Sequence, residues 1–438
     1  MDKYLKPKYI FLAMERQYCG ELNTKNAGQE VVLAGWVDTL RVSGKISFLL
    51  LRDRTGLVQV FINKDLTEKI KNLRRESVVK IKGLVNKRPE NQVKKEMKTG
   101  DIEIEAKDVE IIAEAEPLPI ELDETTALDK RLDYRFIDMH KPKIQAIFKV
   151  QSTIMNGFRE FMIKEHAIEA AFPAVISASS EGGTDIFKVK YFEKDAYLSQ
   201  SCQLYKQMLA CSMEKVFAVF TVWRAEKHNT LRHLNESRQM DFEMAFADDK
   251  DVMDLLAKCV QYIVKKVMTE NAEDLERLNI KLKVPETKYL TFHEVAKIMK
   301  KEKVEMGEDD LSGEAERKLG ELYPDTIVFV HDWPIIGKPF YIMPKGKDLS
   351  CGFDAIYKGM EISSGGQRIH IPELLIERLK AKGLNPGDFK SYIDSFRYGA
   401  PNHSGWGIGV ERLTMLLLGL ENIREAVLFP RDRDRLTP

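Results

Sequence analysis

The chain has 438 residues, 68 of them Lys or Arg and 68 Asp or Glu, so its formal net charge is zero; 44% is hydrophobic and 31% charged. This is the make-up of an ordinary soluble globular protein; it excludes a globally basic nucleic-acid binder but not a local patch, and the length implies two or more domains. No run approaches the roughly eighteen apolar residues of a membrane helix. The opening MDKYLKPKYIFLAMERQYCG has no signal-peptide pattern, its apolar patch being broken by Glu15 and Arg16, so a cytoplasmic protein without membrane contact is expected. Cys19, Cys202, Cys211, Cys259 and Cys351 include no C-x-x-C pair, and neither a zinc knuckle nor a disulfide framework is expected.

From residue 30 short alternating runs follow one another: EVVLAGWVDTLRV, ISFLLLRD, the turn Asp53-Arg54-Thr55-Gly56, LVQVFI, VVKIKGLVNKRP and KTGDIEIEAKDVEII. Alternation, β-branched and aromatic residues and glycine-bearing turns predict a five-stranded barrel within residues 1–113, of which the oligonucleotide-binding (OB) fold is the commonest. Between Lys69 and Lys98 lie Lys69, Lys71, Arg74, Arg75, Lys80, Lys82, Lys87, Arg88, Lys94, Lys95 and Lys98 against Glu76, Glu90 and Glu96. A solvated face and a polyanion contact account for this cluster about equally well. The acidic, proline-bearing stretch at 114–130 reads as a linker.

Residues 131–438 have a different texture. Ile147, Val150, Ile154, Phe158 and Phe161 recur at the spacing of an amphipathic helix over 143–164, followed by IEAAFPAVI, a strand interrupted by Pro173. Strands are predicted at FKVKYF, AYLSQS, VFAVFTVW and QMDFEMAF, with a helix from Lys250 to about Met268. Residues 269–325 are charged and locally helical, an inserted lobe without recognisable chemistry. Strands return at TIVFVHDWP, KPFYIMP and CGFDAIYKGMEISSG, then a helix stopped by Gly383, then SGWGIGVERLTMLLLG, a glycine-rich turn leading into a helix. Strands and helices without strict β-α-β alternation predict an α+β domain. WRAEKHNTLRHL (223–234) falls between two strands as a charged hairpin loop.

A hairpin bearing Arg224-Ala225-Glu226 and a Gly-rich segment ending in Glu411-Arg412 resemble motifs 2 and 3 of the class II aminoacyl-tRNA synthetases, placed at about 216–246 and 403–420. The helix and Pro173 strand at about 147–176 are similar to motif 1, the dimer-forming element, with Ala170-Ala171-Phe172 where polar residues are more usual. Strings such as SSEGGTDIF, YLSQSCQLYKQM, RAEKHNTLRHLNE, MDFEMAF, GMEISSGGQRIH and NIREAVLFPRDRDRLTP resemble the aspartyl-tRNA synthetases of the archaeal and eukaryotic type, from about residue 30 to the C-terminus.

The resemblance implies a homodimer with an antiparallel catalytic sheet flanked by helices. The homodimer it implies would activate L-aspartate with ATP and Mg²⁺ and esterify the 3′ end of tRNA(Asp). Two anions must meet in line in that reaction, so positive charge and orientation matter more than a base. Arg224 would bridge the aspartate carboxylate and the α-phosphate, and Arg412 would cover the adenine and face the γ-phosphate. Ala225, Glu226, Arg232, His233, Leu234, Glu361, Gly409, Val410 and Glu411 complete the implied ATP site. Asp354, Glu361 and Ser364 are the implied metal ligands. Asp354 and Glu361 stand seven apart, which puts them on opposite strand faces unless a turn at Lys358-Gly359 folds them together.

Lys206 and Arg368 match the pair that selects the side-chain carboxylate, and Glu181, Gln203, Asp241 and Ser364 the residues around the rest of the substrate. An asparaginyl enzyme typically has an apolar residue in place of Lys206 and an acidic pair in place of Ile369-His370. Phe48 and Gln59 match barrel residues that stack on and bond to an anticodon base. Asp38, in place of a tryptophan or histidine associated with tRNA discrimination, leaves open whether tRNA(Asn) is charged too. Ser237-Arg238 stand where an aromatic usually supports adenine; Arg238 could stack its planar guanidinium there instead, and what supports adenine stays open. Three alternatives stay open: relaxed tRNA specificity, an asparaginyl enzyme and a non-catalytic RNA-binding paralogue.

Overall fold

The computed structural model describes residues 16–122, 126–177, 185–227 and 229–438. They form two compact units, Met1–Glu121 and Leu122–Pro438. The first is a closed barrel of β1 (Glu30–Ser43), β2 (Ile46–Asp53), β3 (Gly56–Ile62), β4 (Val78–Lys87) and β5 (Ile102–Ala113), ordered β1-β2-β3-β5-β4, with helix α1 (Lys64–Ile70) after β3. Period-two alternation builds its core, since Leu33, Val37, Leu49, Leu51, Val58, Val60, Ile62, Val79 and Ile81 point inward and are fully buried. A bulge between Val37 and Thr39 leaves Asp38 without a ladder partner, so Thr39 and Arg41 keep to the outer face shared with Phe48 and Gln59.

In the second unit an eight-stranded sheet runs through β6 (Ile168–Glu169), β7 (Lys215–Trp223), β8 (Glu236–Ala245), β9 (Glu286–Thr291), β10 (Thr326–His331), β11 (Gly352–Tyr357), β12 (Met360–Gln367) and β13 (His403–Gly409). The order is β9-β10-β11-β12-β13-β8-β7-β6, antiparallel except for the two outermost pairs. The fold class is therefore α+β. Helices α2 (Pro142–Lys164) and α4 (Asp249–Glu270) cover one face. All five apolar positions of the sequence-predicted stripe on α2 are buried. At Gly157 an added Cβ would stand 3.3 Å from the Lys266 side chain and 3.5 Å from Ile263, so glycine lets α2 and α4 approach closely. The inserted lobe has its own small core of Leu290, Val295, Met299, Ala315, Leu319 and Trp333, in which helices α5 (Phe292–Glu302) and α6 (Gly313–Leu322) pack beside β9 and β10. Among the described residues no helix is long and apolar enough to cross a membrane.

The glycines of GWGIG lie within a strand and not in a turn. Gly405, Gly407 and Gly409 face away from the helices, while Trp406 and Ile408 between them are fully buried in the core. Gly405 pairs with Glu243 and Gly407 with Asp241 across β8. A Cβ at Gly405 would come within 2.2 Å of the Glu243 carboxylate, and one at Gly407 within 2.9 Å of Asp241. The glycines thus make room for two carboxylates on the open face of the sheet.

Candidate active site

That open face carries a cavity of about 380 Å³ lined by Gln203, Lys206, Arg224, Glu226, Arg232, His233, Leu234, Asp241, Glu361, Ser364, Arg368, Gly409, Glu411 and Arg412. Fourteen positions scattered over more than two hundred residues of sequence therefore converge on one wall-to-wall site. Helix α3 (Gln203–Met213) presents Gln203 and Lys206 one turn apart on the same face. Strand β8 presents Ser237, Gln239 and Asp241 by alternation. The segment after β7 carries Arg224, whose backbone is pinned twice: its N–H donates to the Asn235 carbonyl at 2.9 Å, and its own carbonyl accepts from Asn235 Nδ2 at 2.7 Å.

At one end of the cavity four charged side chains, Lys206, Asp241, Glu243 and Arg368, are buried together. Lys206 Nζ donates to Asp241 Oδ1 at 2.7 Å and to the Trp406 carbonyl at 3.1 Å, and lies 3.5 Å from Glu243 Oε2. Arg368 grips Glu243 with two bonds, Nε to Oε1 at 2.9 Å and Nη2 to Oε2 at 3.3 Å. Burial alone would lower the Lys206 ammonium, but Asp241 and then Glu243 outweigh it and hold it above its ordinary value. Burial would likewise raise Glu243, and Arg368 and Lys206 bring it below the usual carboxylate range. Lys206, Glu243 and Arg368 are thus each held toward the charged form by their partners. Gln203 Nε2 and Asp241 Oδ2 are buried there without a hydrogen-bond partner, an arrangement that is costly unless a polar ligand completes it.

The other end is an anion cradle. Arg224, Arg232, His233 and Arg412 stand 3.8 Å from Glu226, 4.0 Å from Glu316, 3.9 Å from Glu226 and 3.6 Å from Glu361 respectively. Glu316 comes from α6, so the inserted lobe contributes a side chain beside this end. Its carboxyl is pushed up to about 7 by burial and then by Glu361.

Asp354 and Ser364 are direct cross-strand partners of β11 and β12, and the chain turns between them at Lys358-Gly359, both with positive φ. A register shift after Ala355 pairs Ile356 with Glu361, and the extra residue Ile362 restores Glu361 to the face of Ser364. Burial and then the Asp354 charge raise the Glu361 carboxyl. Asp354 itself accepts from Lys338 Nζ at 2.5 Å. Two carboxylates beside a hydroxyl are hard oxygen donors, and this set could hold Mg²⁺ jointly with phosphate oxygens in exchange for the Lys338 contact.

Several sequence expectations fall elsewhere. Ala225 does not face this cavity; it turns to the opposite side of its segment, beside Trp223 and Phe187. Val410 opens helix α7 (Val410–Leu418) with its side chain buried in the core. Arg238 is no platform for a base here, because alternation on β8 turns it out of the cavity between Ser237 and Gln239, toward Glu411 at 3.8 Å. Glu181 lies outside the described residues. In the barrel, Phe48 and Gln59 share a separate pocket, whereas Asp38 is drawn off by Arg75 at 3.6 Å and Arg52 at 3.7 Å. Sequence reasoning did not single out Glu243, Lys338 or Tyr341. For Glu243 a signal existed, the acid–apolar–acid alternation of MDFEMAF; for the other two the sequence carries none.

Glu411 offers a test of the electrostatics. Burial, with the Arg238 N–H bonds at 3.0 and 3.2 Å opposing it, pushes its carboxyl up to about 7. A carboxyl held above its ordinary value binds its proton more firmly in the folded chain, so its contribution is full near the unfolded value and is lost as pH rises through about 7. Glu411→Gln is therefore expected to stabilise the protein at pH 8 by up to about 3 kcal/mol and to change little near pH 4.5. Paired melting curves at the two pH values check this, and coincident curves at pH 8 would contradict it.

Residues 127–433 match the family described as tRNA synthetases class II (D, K and N), and residues 31–112 match the OB-fold nucleic acid binding domain. The chain is 43% identical to the aspartate–tRNA(Asp/Asn) ligase of Archaeoglobus fulgidus, over 97% of this chain and 100% of the relative. It is 42% identical to the aspartate–tRNA(Asp) ligase of Thermoplasma acidophilum, over 97% and 100%. Among solved structures it is similar to the asparaginyl-tRNA synthetase of Pyrococcus horikoshii complexed with asparaginyl-adenylate, with a TM-score of 0.90 and 35% identity over 97% of this chain and 100% of that one.

Proposed function

The chain belongs to the class II tRNA synthetases of the aspartate, lysine and asparagine group, and from that premise we propose that it is an aspartate–tRNA ligase acting in the cytoplasm as a homodimer. The observation that carries the choice of aspartate is the buried pair Lys206 and Arg368 at the closed end of the cavity. A side-chain carboxylate placed there gains two cations, and the substrate ammonium gains the unbonded oxygen of Asp241. A neutral carboxamide would leave the Lys206 ammonium with less charge to pair, which disfavours asparagine.

In the reaction, Arg224 holds the α-carboxylate against the α-phosphate and carries the charge that develops there. Arg232, His233 and Arg412 take the outer phosphates, and Glu226 the adenosine. Asp354, Glu361 and Ser364 would hold Mg²⁺, which when bound neutralises phosphate charge as pyrophosphate leaves. The terminal adenosine of tRNA then accepts the aspartyl group, and the barrel reads the anticodon, with Phe48 stacking and Gln59 bonding. Exposed Ile163, Ile168 and Val175 beside Pro173 supply an apolar face for a second copy.

Relatives named for tRNA(Asp/Asn) and for tRNA(Asp) alone resemble the chain about equally, so aspartylation of tRNA(Asn) is the second reading. Charging of tRNA(Asp) and tRNA(Asn) transcripts with aspartate, run side by side, tests both. Aspartyl-tRNA(Asp) is the expected product, aspartyl-tRNA(Asn) in comparable yield would establish the broader reading, and no product on either would sink both.

A further inference from the structure

The loop that carries Arg232 and His233 to the cavity is held from outside by residues 423–434. Residues 229–235 form no strand or helix, yet the Leu231 carbonyl accepts from the Ile423 N–H at 2.9 Å and the Asn235 N–H donates to the Arg431 carbonyl at 2.9 Å. Asn229 also donates from Nδ2 to Asp434 Oδ2. Arg424 makes the densest of these contacts. Its Nη1 donates to the Thr230 carbonyl at 3.1 Å, its Nη2 to Asn229 Oδ1 at 2.5 Å and its Nε to Asp432 Oδ2 at 2.5 Å. Arg424 is 7% exposed and takes no part in the cavity wall.

Its partner Asp432 is fixed in turn, because Oδ1 accepts from the Asp434 and Arg435 N–H groups at 2.9 Å each. Burial would raise the Asp432 carboxyl, and the Arg424 bond together with those N–H groups brings it below the ordinary carboxylate range. The charge of Arg424 is therefore balanced behind the loop, and the loop itself receives hydrogen bonds to two neutral oxygens. Thr230 passes the hold forward. Its hydroxyl accepts from the Arg232 N–H at 3.2 Å and lies 2.6 Å from His233 Nδ1. A loop that brings two side chains to bear on one anion loses backbone entropy of roughly 1–2 kcal/mol per ordered residue. Bonds made before the nucleotide arrives reduce what binding must still supply.

We propose that Arg424 is a positioning residue for the nucleotide: it sets the 229–233 loop so that Arg232 and His233 meet the outer phosphates, without touching the ligand itself. The inference rests on the reading of this cavity as an ATP site and adds the residue that shapes one of its walls from behind.

The test uses the full chain with Arg424→Gln, Arg424→Lys and Asn229→Ala. Asn229 is exposed, so its truncation removes one Arg424 acceptor without opening a buried site. Dissociation constants for ATP, for AMP, which lacks the outer phosphates, and for aspartate are measured by calorimetry with Mg²⁺ present, beside melting curves on the same preparations. Arg424→Gln is expected to weaken ATP by about 10-fold and Asn229→Ala by about threefold, while AMP and aspartate stay within about twofold of the parent. Arg424→Lys keeps the charge but cannot fork to both loop oxygens, and should recover only part of the loss. The melting temperature of Asn229→Ala should stay within about two degrees of the parent. An equal loss for ATP and AMP, the mark of a general brace, would overturn the proposal. If the parent binds ATP no more tightly than AMP, the reading of Arg232 and His233 as phosphate ligands fails and the proposal with it; if the parent prefers ATP and the variants keep that preference in full, the fault lies with Arg424 alone.

Discussion

Arg224→Ala is expected to lower kcat/KM for aspartate-dependent ATP–pyrophosphate exchange by about 10³-fold while leaving the melting temperature nearly unchanged. The rate effect follows from where charge develops. An activated carboxylate and a pentavalent phosphorus repel each other, and a positioned guanidinium is worth about 10²–10³ when its counterpart in other sites is removed; Arg224 would serve both anions at once. The small effect on stability follows from its surroundings. Its side chain is 47% exposed and its carboxylate partner Glu226 is 3.8 Å away, a pairing worth little in water. Its backbone position depends on Asn235, not on its own side chain. Arg224→Lys keeps the charge but loses the fork, and about a tenth of the deficit or more should persist. Steady-state exchange and thermal melts on the same preparations check both halves, and an alanine variant that retained full exchange would remove Arg224 from the chemistry.

Lys206→Met is expected to be damaging in both respects. Without its ammonium, Asp241 and Glu243 face each other at full burial with Arg368 alone to balance them. Breaking a buried pair in this way typically costs about 3–5 kcal/mol, so the melting temperature should fall by several degrees. Aspartate should lose at least as much affinity as asparagine gains relative to it, because the cation that distinguishes carboxylate from carboxamide is gone. The expected signature is a collapse of the aspartate-to-asparagine ratio in exchange, not merely a lower rate. A variant with reduced activity but an unchanged ratio would mean that Lys206 only holds the fold.

The barrel was readable because its strands alternate cleanly and its turns carry glycine; β1 to β5 fall on the segments the sequence marks. Helix α2 was readable for the same reason at a period of 3.6. The candidate site residues were proposed through motif resemblance, and the structure explains why spacing alone could not bring them together. Asp354 and Glu361 share a face only because of the Lys358-Gly359 turn and the extra residue Ile362, a bulge with no composition signal. GWGIG was read as a turn, yet its strict alternation is that of a strand whose glycines make room for Asp241 and Glu243. Arg238 was misassigned because strand parity, not residue chemistry, decides which way a side chain points. Glu316 could not be anticipated, since its lobe meets the cavity only in three dimensions.

ATP–pyrophosphate exchange by the purified chain, measured in parallel with aspartate, asparagine and lysine and with Mg²⁺ present, asks whether this cavity activates aspartate. Exchange with aspartate, and asparagine and lysine slower by about 10²-fold or more, is the expected result; exchange with asparagine and none with aspartate would contradict the roles given to Lys206 and Arg368 and the function built on them.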